Sequence, residues 1–445
     1  MRGSISALLA IAVVWALGAT APPASAAGFP DLEITAPTTA IAATAFDVTV
    51  LLTTDNEPIV DAEISVLAQR PGQPDVVAPG TTNGEGLVTV SVVLPVRGEW
   101  TINATYVDGA SNTYSAEPAS VLVGGQQLDV VVTAATSVTS ESAFPVRIVV
   151  TRVVDGTPAV GIVVDVSRPA SSVQPAALLA TKTTDSHGAI NMVASLWRSS
   201  GIVAVSRASE VFDSARSTRI NVTARPAFGV VSLPAGAPKP LTQFNDAPAA
   251  KGGGANAVVT TIPDAVWASM QGLTWHKGCL ARSSLRYITV NYIGFDGFRY
   301  RGSIIMATKV AAATATVFTR LYSLRYPIRS MFLVDRFGKA PSGYPGANDY
   351  ASMASGNTSG FNCRYIVGKE SVRAMSPHAY GVAVDLNTWE NPYYSRLGPL
   401  PNSWWMPRTR RSVAVLTLNS PAVKAFRAAG FTWGGSYKDY QHFQR

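Results

Sequence analysis

Two short stretches hold the residues best suited to chemistry. In Ser376-Pro-His378-Ala-Tyr-Gly381-Val-Ala383-Val-Asp385, a histidine and a carboxylate stand seven residues apart on either side of a glycine, in a run otherwise small and apolar. Further on, Asp439-Tyr-Gln-His442-Phe443 adds a second carboxylate and a second histidine. His378, Asp385 and His442 make a set of two neutral imidazoles and one carboxylate, which suits a single catalytic Zn²⁺ that keeps a fourth position open for water. Zinc held this way makes water acidic enough to ionise near ~pH 7 and polarises a carbonyl. Asp439 is left over as a carboxylate near the metal, placed to act as general base. A lone histidine is usually a packing or surface residue. Here, however, the chain has four histidines, and two of them occupy these positions with acids in place. His276, beside Trp275, and His187, in a turn beside Gly188, read as structural.

The ordered pair Ser-x-His-x-x-Gly-x-Ala-x-Asp and Asp-x-x-His-Phe resembles the zinc peptidases of bacterial cell walls in the peptidase M15 family. These are D-alanyl-D-alanine carboxypeptidases and L-alanyl-D-glutamate endopeptidases. The resemblance extends through Phe361-Asn-Cys-Arg364 and Glu390-Asn-Pro392-Tyr393 and covers roughly the last 190 residues. It implies hydrolysis of an amide bond in a peptidoglycan stem peptide, with D-Ala-D-Ala carboxypeptidase as the leading activity and L-Ala-D-Glu endopeptidase as the alternative. A wall-binding or adhesive protein without catalysis is the reading from another class. The position of Asp439 is Glu or Asp in that family. An anionic substrate terminus calls for a fixed cation, and Arg364 is the candidate for binding the carboxylate or stabilising the oxyanion. Arg336 is its rival. Ser376 reads as a support that orients the loop. Trp433, Gly434, Gly435, Tyr437 and Tyr440 are candidates for lining the pocket, or equally for core.

These residues need a scaffold, and at 445 residues the chain holds more than one domain. Residues 1–26 read as a secretory signal: Arg2, an apolar run from Ala7 to Ala19, then Ala24-Ser-Ala26. An uncleaved anchor is the alternative, though the run is short of the ~20 residues of a span. No later segment is long and apolar enough to span, so the expected protein is secreted or wall-associated. Cys279 and Cys363 are the two cysteines. In an oxidising compartment one disulfide between them is expected, with two separate buried thiols as the alternative. Residues 256–445 carry 22 Lys and Arg against eight Asp and Glu, whereas the rest of the chain holds 14 against 20. The basic half suits anionic wall polymers and stem-peptide carboxylates. Nucleic acid is set aside because of export.

The fold class expected is multidomain: two all-β immunoglobulin-like sandwiches, then an α+β zinc peptidase domain with a small antiparallel sheet. The first sandwich (27–124) rests on alternating runs such as Phe46-Asp-Val-Thr-Val-Leu-Leu and Leu87-Val-Thr-Val-Ser-Val-Val, separated by Asp55-Asn-Glu-Pro58 and Asn83-Gly-Glu-Gly86. The second (125–225) repeats the pattern, with Phe144-Pro-Val-Arg-Ile-Val-Val, Asp155-Gly-Thr-Pro158 and Thr184-Asp-Ser-His-Gly188 in matching places. Both read as spacers or wall-positioning arms, with adhesion as the second option. Residues 226–255, with Pro226, Pro234, Pro238, Pro240 and Lys251-Gly-Gly-Gly254, read as a semi-rigid and then flexible linker. In 256–445, Leu285–Ile293, Arg301–Met306 and Met331–Val334 read as strands. Ala311–Tyr322 and Ser420–Gly430 read as helices, the latter with a Ser cap, Pro first and Gly as stop. Ala383 and Asp385 share one face of a predicted strand. Asp439 and His442, three apart, need a turn or bulge if both are to reach one metal.

Overall fold

The computed structural model describes residues 28–445, so the expected signal at 1–26 lies outside the described residues. Alternating runs do what their period requires. In Ala45–Thr54, Val48, Val50 and Leu52 are buried between more exposed neighbours, because successive side chains leave opposite faces of a strand. The first module packs a sheet built on Asp31–Thr35, Ala45–Thr54 and Leu87–Val93 against one built on Glu63–Gln69, Gly98–Val107 and Ala119–Gly124. Trp100 is fully buried between them, and its indole N–H donates to the Val96 carbonyl at 3.0 Å. The second module repeats the plan with Leu128–Ala134, Ala143–Arg152 and Ala189–Ser195 facing Val163–Arg168, Ser200–Ser206 and Ile220–Arg225. In each, a short three-residue strand (Thr39–Ile41, Ser137–Thr139) crosses to the opposite sheet and pairs there in parallel.

The internal repeat has a physical cause. Thr82 is buried; its hydroxyl accepts from Ala62 N–H at 3.0 Å and donates to the Ile59 carbonyl at 2.8 Å. Thr184 does the same with Ile162 N–H at 2.9 Å and the Ala159 carbonyl at 2.7 Å. Gly86 and Gly188, four residues on, have φ of 72° and 66°, and in each a Cβ would lie 2.5 Å from a strand carbonyl. Only glycine fits there.

The C-terminal domain is α+β. Val258–Thr260, Leu285–Ile293 and Arg299–Ala307 form an antiparallel sheet, and the helix Thr308–Ser323 lies across it with Val310, Val317, Phe318 and Leu321 buried. The helix Pro421–Ala428 packs on that helix, Phe318 against Phe426 edge to face at 6.2 Å. A second sheet runs in the order Ala383–Asp385, His442–Gln444, Thr432–Trp433. Its Val384 and Phe443 are fully buried in the common core, and Phe443 stacks on Phe426 at 3.8 Å. Since the strand period is two, anchoring Val384 and Phe443 inwards turns Asp385 and His442 to the other face. Cys279 and Cys363 are joined in a disulfide. Among the described residues no helix is long and apolar enough to cross a membrane.

Two expectations are corrected. Met331–Val334 is not a strand. Phe332 N–H donates to the Asn357 side-chain oxygen at 2.8 Å, and the Asn357 amide returns a bond to the Phe332 carbonyl at 3.0 Å, so a side chain occupies the place of a partner strand. The segment 226–255 is not a free linker. Phe228 and Val231 N–H bond the carbonyls of Gly297 and Phe295, Ala249 bridges to Tyr300, and Lys251 N–H reaches Asn291. Asp246 pairs with Arg336 at 2.9 Å, and Trp389 donates to the Pro238 carbonyl. The C-terminal domain's exposed polar backbone gives this proline-rich segment partners along its length.

Candidate metal centre

Each ligand candidate arrives by a different local device. His378 sits in a 3₁₀ turn, Pro377–Tyr380, that Ser376 caps by accepting from His378 N–H at 3.3 Å. Gly381 ends the turn at φ 61°, and its carbonyl accepts from Ala307 N–H at 2.8 Å. Asp385 lies directly opposite His442 across antiparallel strands. The Asp385 backbone bonds Ser359 on its other side, N–H and carbonyl both at 2.9 Å. The Asp385–His442 pair is therefore a non-hydrogen-bonded one, in which facing side chains come closest.

The ligand atoms converge. His378 Nε2 lies 3.1 Å from Asp385 Oδ2 and 3.3 Å from His442 Nδ1, and His442 Nδ1 lies 3.1 Å from Asp385 Oδ1. All three residues are buried. The far ring nitrogens fix the tautomers. His378 Nδ1–H donates to the Gly360 carbonyl at 2.6 Å and His442 Nε2–H to Gln444 Oε1 at 3.1 Å. In the neutral rings that leaves both inner nitrogens with lone pairs facing each other and a carboxylate, an arrangement suited to holding a cation between them. Without a metal, a proton on His442 can take that place. Burial alone would lower His442, but its bond to Asp385 and the nearby Asp439 charge raise it to about 9. Burial would raise the Asp385 carboxyl, yet the two histidines hold it well below the carboxylate range. Ligand atoms around a tetrahedral metal with bonds of ~2.0–2.1 Å stand ~3.3–3.4 Å apart, so these donors fit Zn²⁺ in spacing and type.

Asp439 shares the cleft with the three ligands, a hollow of about 240 Å³ also bordered by Arg364, Tyr393 and Tyr437. Lys438 in the left-handed region (φ 61°) makes the turn that lets Asp439 and His442 approach one point. Asp439 Oδ1 is shielded and has no hydrogen-bond partner. Burial, with the charges of Asp385 and Asp349, pushes its carboxyl up to about 7 against the pull of His442 and Arg364.

Arg364 is buried in the cleft wall and pairs with Asp349 at 2.7 Å. Arg336 does not border the cleft. It is held by Asp246 and stacks over Phe244 at 4.2 Å and Phe332 at 4.4 Å. Among the aromatic candidates Tyr437 lines the cleft, whereas Trp433 donates to the Tyr440 carbonyl and Tyr440 carries Arg408 over its ring at 4.3 Å. His276 bonds the Cys363 carbonyl at 3.0 Å, and His187 lies in its turn beside Ser186. Gln444, the Gly360 carbonyl and Asp349 escaped sequence reading. A carbonyl has no sequence signature, while Gln444 is marked by standing two residues from His442 on the same strand face.

A buried His-Asp-His set with a carboxylate beside it, opening on a cleft in an α+β domain, offers the donors that a metal ion would need. Residues 369–445, the last part of the C-terminal domain, match a peptidase M15 family model described as D-alanyl-D-alanine carboxypeptidase, which supports an M15 peptidase domain at this end of the chain. The match spans His378, Asp385, Asp439 and His442 and begins after Arg364. No curated protein matches the chain. Among solved structures, a tetra-tandem repeat from the extending region of a large adhesion protein is 15% identical over 63% of this chain and 74% of its own, with a TM-score of 0.31. The D00-D0 domain of intimin is 11% identical over 44% of this chain and all of its own, with a TM-score of 0.19. Superoxide reductase (neelaredoxin) from Ignicoccus hospitalis is 17% identical over 21% and 80%, with a TM-score of 0.18. The fold described above stands on its own sheets, without support from these likenesses.

Proposed function

We propose that the chain is an exported zinc peptidase that hydrolyses an amide bond in peptidoglycan stem peptides, as a D-Ala-D-Ala carboxypeptidase. The observation that carries this is the convergence of three inward lone pairs, from His378 Nε2, His442 Nδ1 and Asp385, beside an unpartnered carboxylate. Zn²⁺ bound there supplies Lewis acidity, which polarises a carbonyl and eases the ionisation of water. Asp439 accepts the water's proton and returns it to the leaving amine, a task suited to a carboxyl whose affinity for protons is raised. Arg364, held in place by Asp349, presents a cation to the substrate's terminal carboxylate. Tyr393 and Tyr437 border the space left for the peptide. The two β-modules position the peptidase within the wall.

The test is incubation of the purified chain with a muramyl pentapeptide, with and without chelator, and product identification by mass spectrometry. Chelator-sensitive release of terminal D-Ala is expected. Cleavage after L-Ala would reassign the chain to the endopeptidases. His442→Ala should abolish both zinc retention and turnover, whereas Asp439→Ala should keep about one zinc and lose turnover by 10²-fold or more. Full activity in Asp439→Ala would remove it as base.

A further inference from the structure

A second, wider hollow of the C-terminal domain lies elsewhere. A groove of about 1150 Å³ runs between the strap residues 228–234 and the loop 408–421, with Tyr326 and Ile293 among its floor residues. Four arginines border it, Arg325, Arg408, Arg410 and Arg411, and no acidic residue does. Among the described residues none of the four pairs with a carboxylate. Arg408 bonds Asn391 Oδ1 at 3.1 Å and the Glu390 carbonyl at 3.2 Å. Arg410 donates to the Trp404 carbonyl at 2.5 Å and lies over the Trp404 ring at 4.2 Å. Carbonyls and a ring fix these guanidinium groups without neutralising them. Arg325 and Arg411 are exposed at the rim. Val230 and Val413, at 64% exposure each, add apolar surface next to the cations.

We infer that this groove is a second binding site for the polymeric substrate, taking the free carboxylates and alanine methyls of stem peptides other than the one in the catalytic cleft. The inference rests on the proposed wall substrate. Fixed, unneutralised arginines recognise carboxylates bidentately, and apolar walls between them suit short side chains better than a wholly polar polyanion. Four of the 22 basic residues of 256–445 thus border the groove, with no acidic residue among its lining.

The experiment uses the full zinc-loaded chain, the double variant Arg325→Gln/Arg411→Gln, and purified insoluble peptidoglycan freed of attached phosphodiester polymers. Cosedimentation is measured at low and high salt, and hydrolysis is measured on this material and on the soluble pentapeptide. The expected result is about tenfold weaker cosedimentation of the variant at low salt, a matching rise in the peptidoglycan concentration giving half-maximal rate, and unchanged kcat/KM on the pentapeptide. Amidation of the peptidoglycan carboxylates should erase the difference between variant and parent. Equal cosedimentation of the two proteins would overturn the inference, as would binding that needs the phosphodiester polymers or a parallel loss on the soluble peptide. If neither protein cuts the pentapeptide yet only the parent cosediments, the proposed activity fails and the groove stands.

Discussion

At the scale of residues, the centre is a problem of where protons sit. Gln444 keeps the His442 proton on Nε2 and so points the Nδ1 lone pair inwards. Gln444→Leu is expected to weaken zinc binding about 10–100-fold with the fold intact, as read by competition with a fluorescent chelator. Asp439 makes the second prediction. In the chelated protein its folded pKa of about 7 lies above the ordinary carboxyl value, so the folded state holds this proton more tightly than the unfolded state. Stability from this group is complete at low pH and is lost as pH rises through 7. Asp439→Asn should therefore raise the melting temperature of chelated protein at pH 8 and leave it nearly unchanged at pH 4. A gain that is equal at both values would contradict the buried, raised carboxyl. The convergence of His378, Asp385, His442 and Asp439 on one cleft was legible in the sequence, through the ordered pair of motifs and the strand face and turn that they imply. The sequence did not separate Arg364 from Arg336; both have a carboxylate partner, and only Arg364 borders the cleft. Charge alone does not reveal which arginine the fold turns towards the cleft.

At the scale of elements, the turn after His378 leaves no room for a side chain. A Cβ at Gly381 would lie 2.7 Å from Ala307 N, whose N–H bonds the Gly381 carbonyl, at a φ of 61° that side chains rarely adopt. Gly381→Val should cost more than ~1 kcal/mol, seen as a lower urea midpoint, and should reduce zinc content with it. The strands and helices with a clear period were legible: Leu285–Ile293 alternates, and the helix after Ser420 has Pro first and Gly as its stop. Met331–Val334 was not, because its hydrogen-bond partner is the side chain of Asn357, and a run of apolar residues does not say what will pair with it.

At the scale of the whole molecule, the second module is docked on the peptidase domain. Trp197 donates to the Arg299 carbonyl at 2.7 Å and meets Tyr300 edge to face at 5.4 Å. Arg198 pairs with Asp296 at 2.7 Å over the Phe298 ring, and Arg299 reaches back to Glu141 at 3.0 Å. Arg198→Ala should widen the distribution of shapes seen by small-angle scattering and speed protease cleavage near residue 226, with pentapeptide turnover unchanged. The repeat of the two modules was legible because the buried Thr and the following Gly recur at the same offset in each. The docking was not, since proline and glycine content describes a segment's own stiffness and says nothing about the surface it will find.

The facing of Asp385 and His442 across two strands has one more consequence. Two of the three proposed ligands share a single pairing, so with zinc held as proposed, opening that pairing would also release the metal. In hydrogen-exchange terms, amides of 383–386 and 442–444 should open as a unit, slowly when zinc is bound and faster by the full binding factor when it is stripped. Metal occupancy would then report the closure of the small sheet, whose central strand, packed through Phe443 into the core, would act as the latch of the proposed active site.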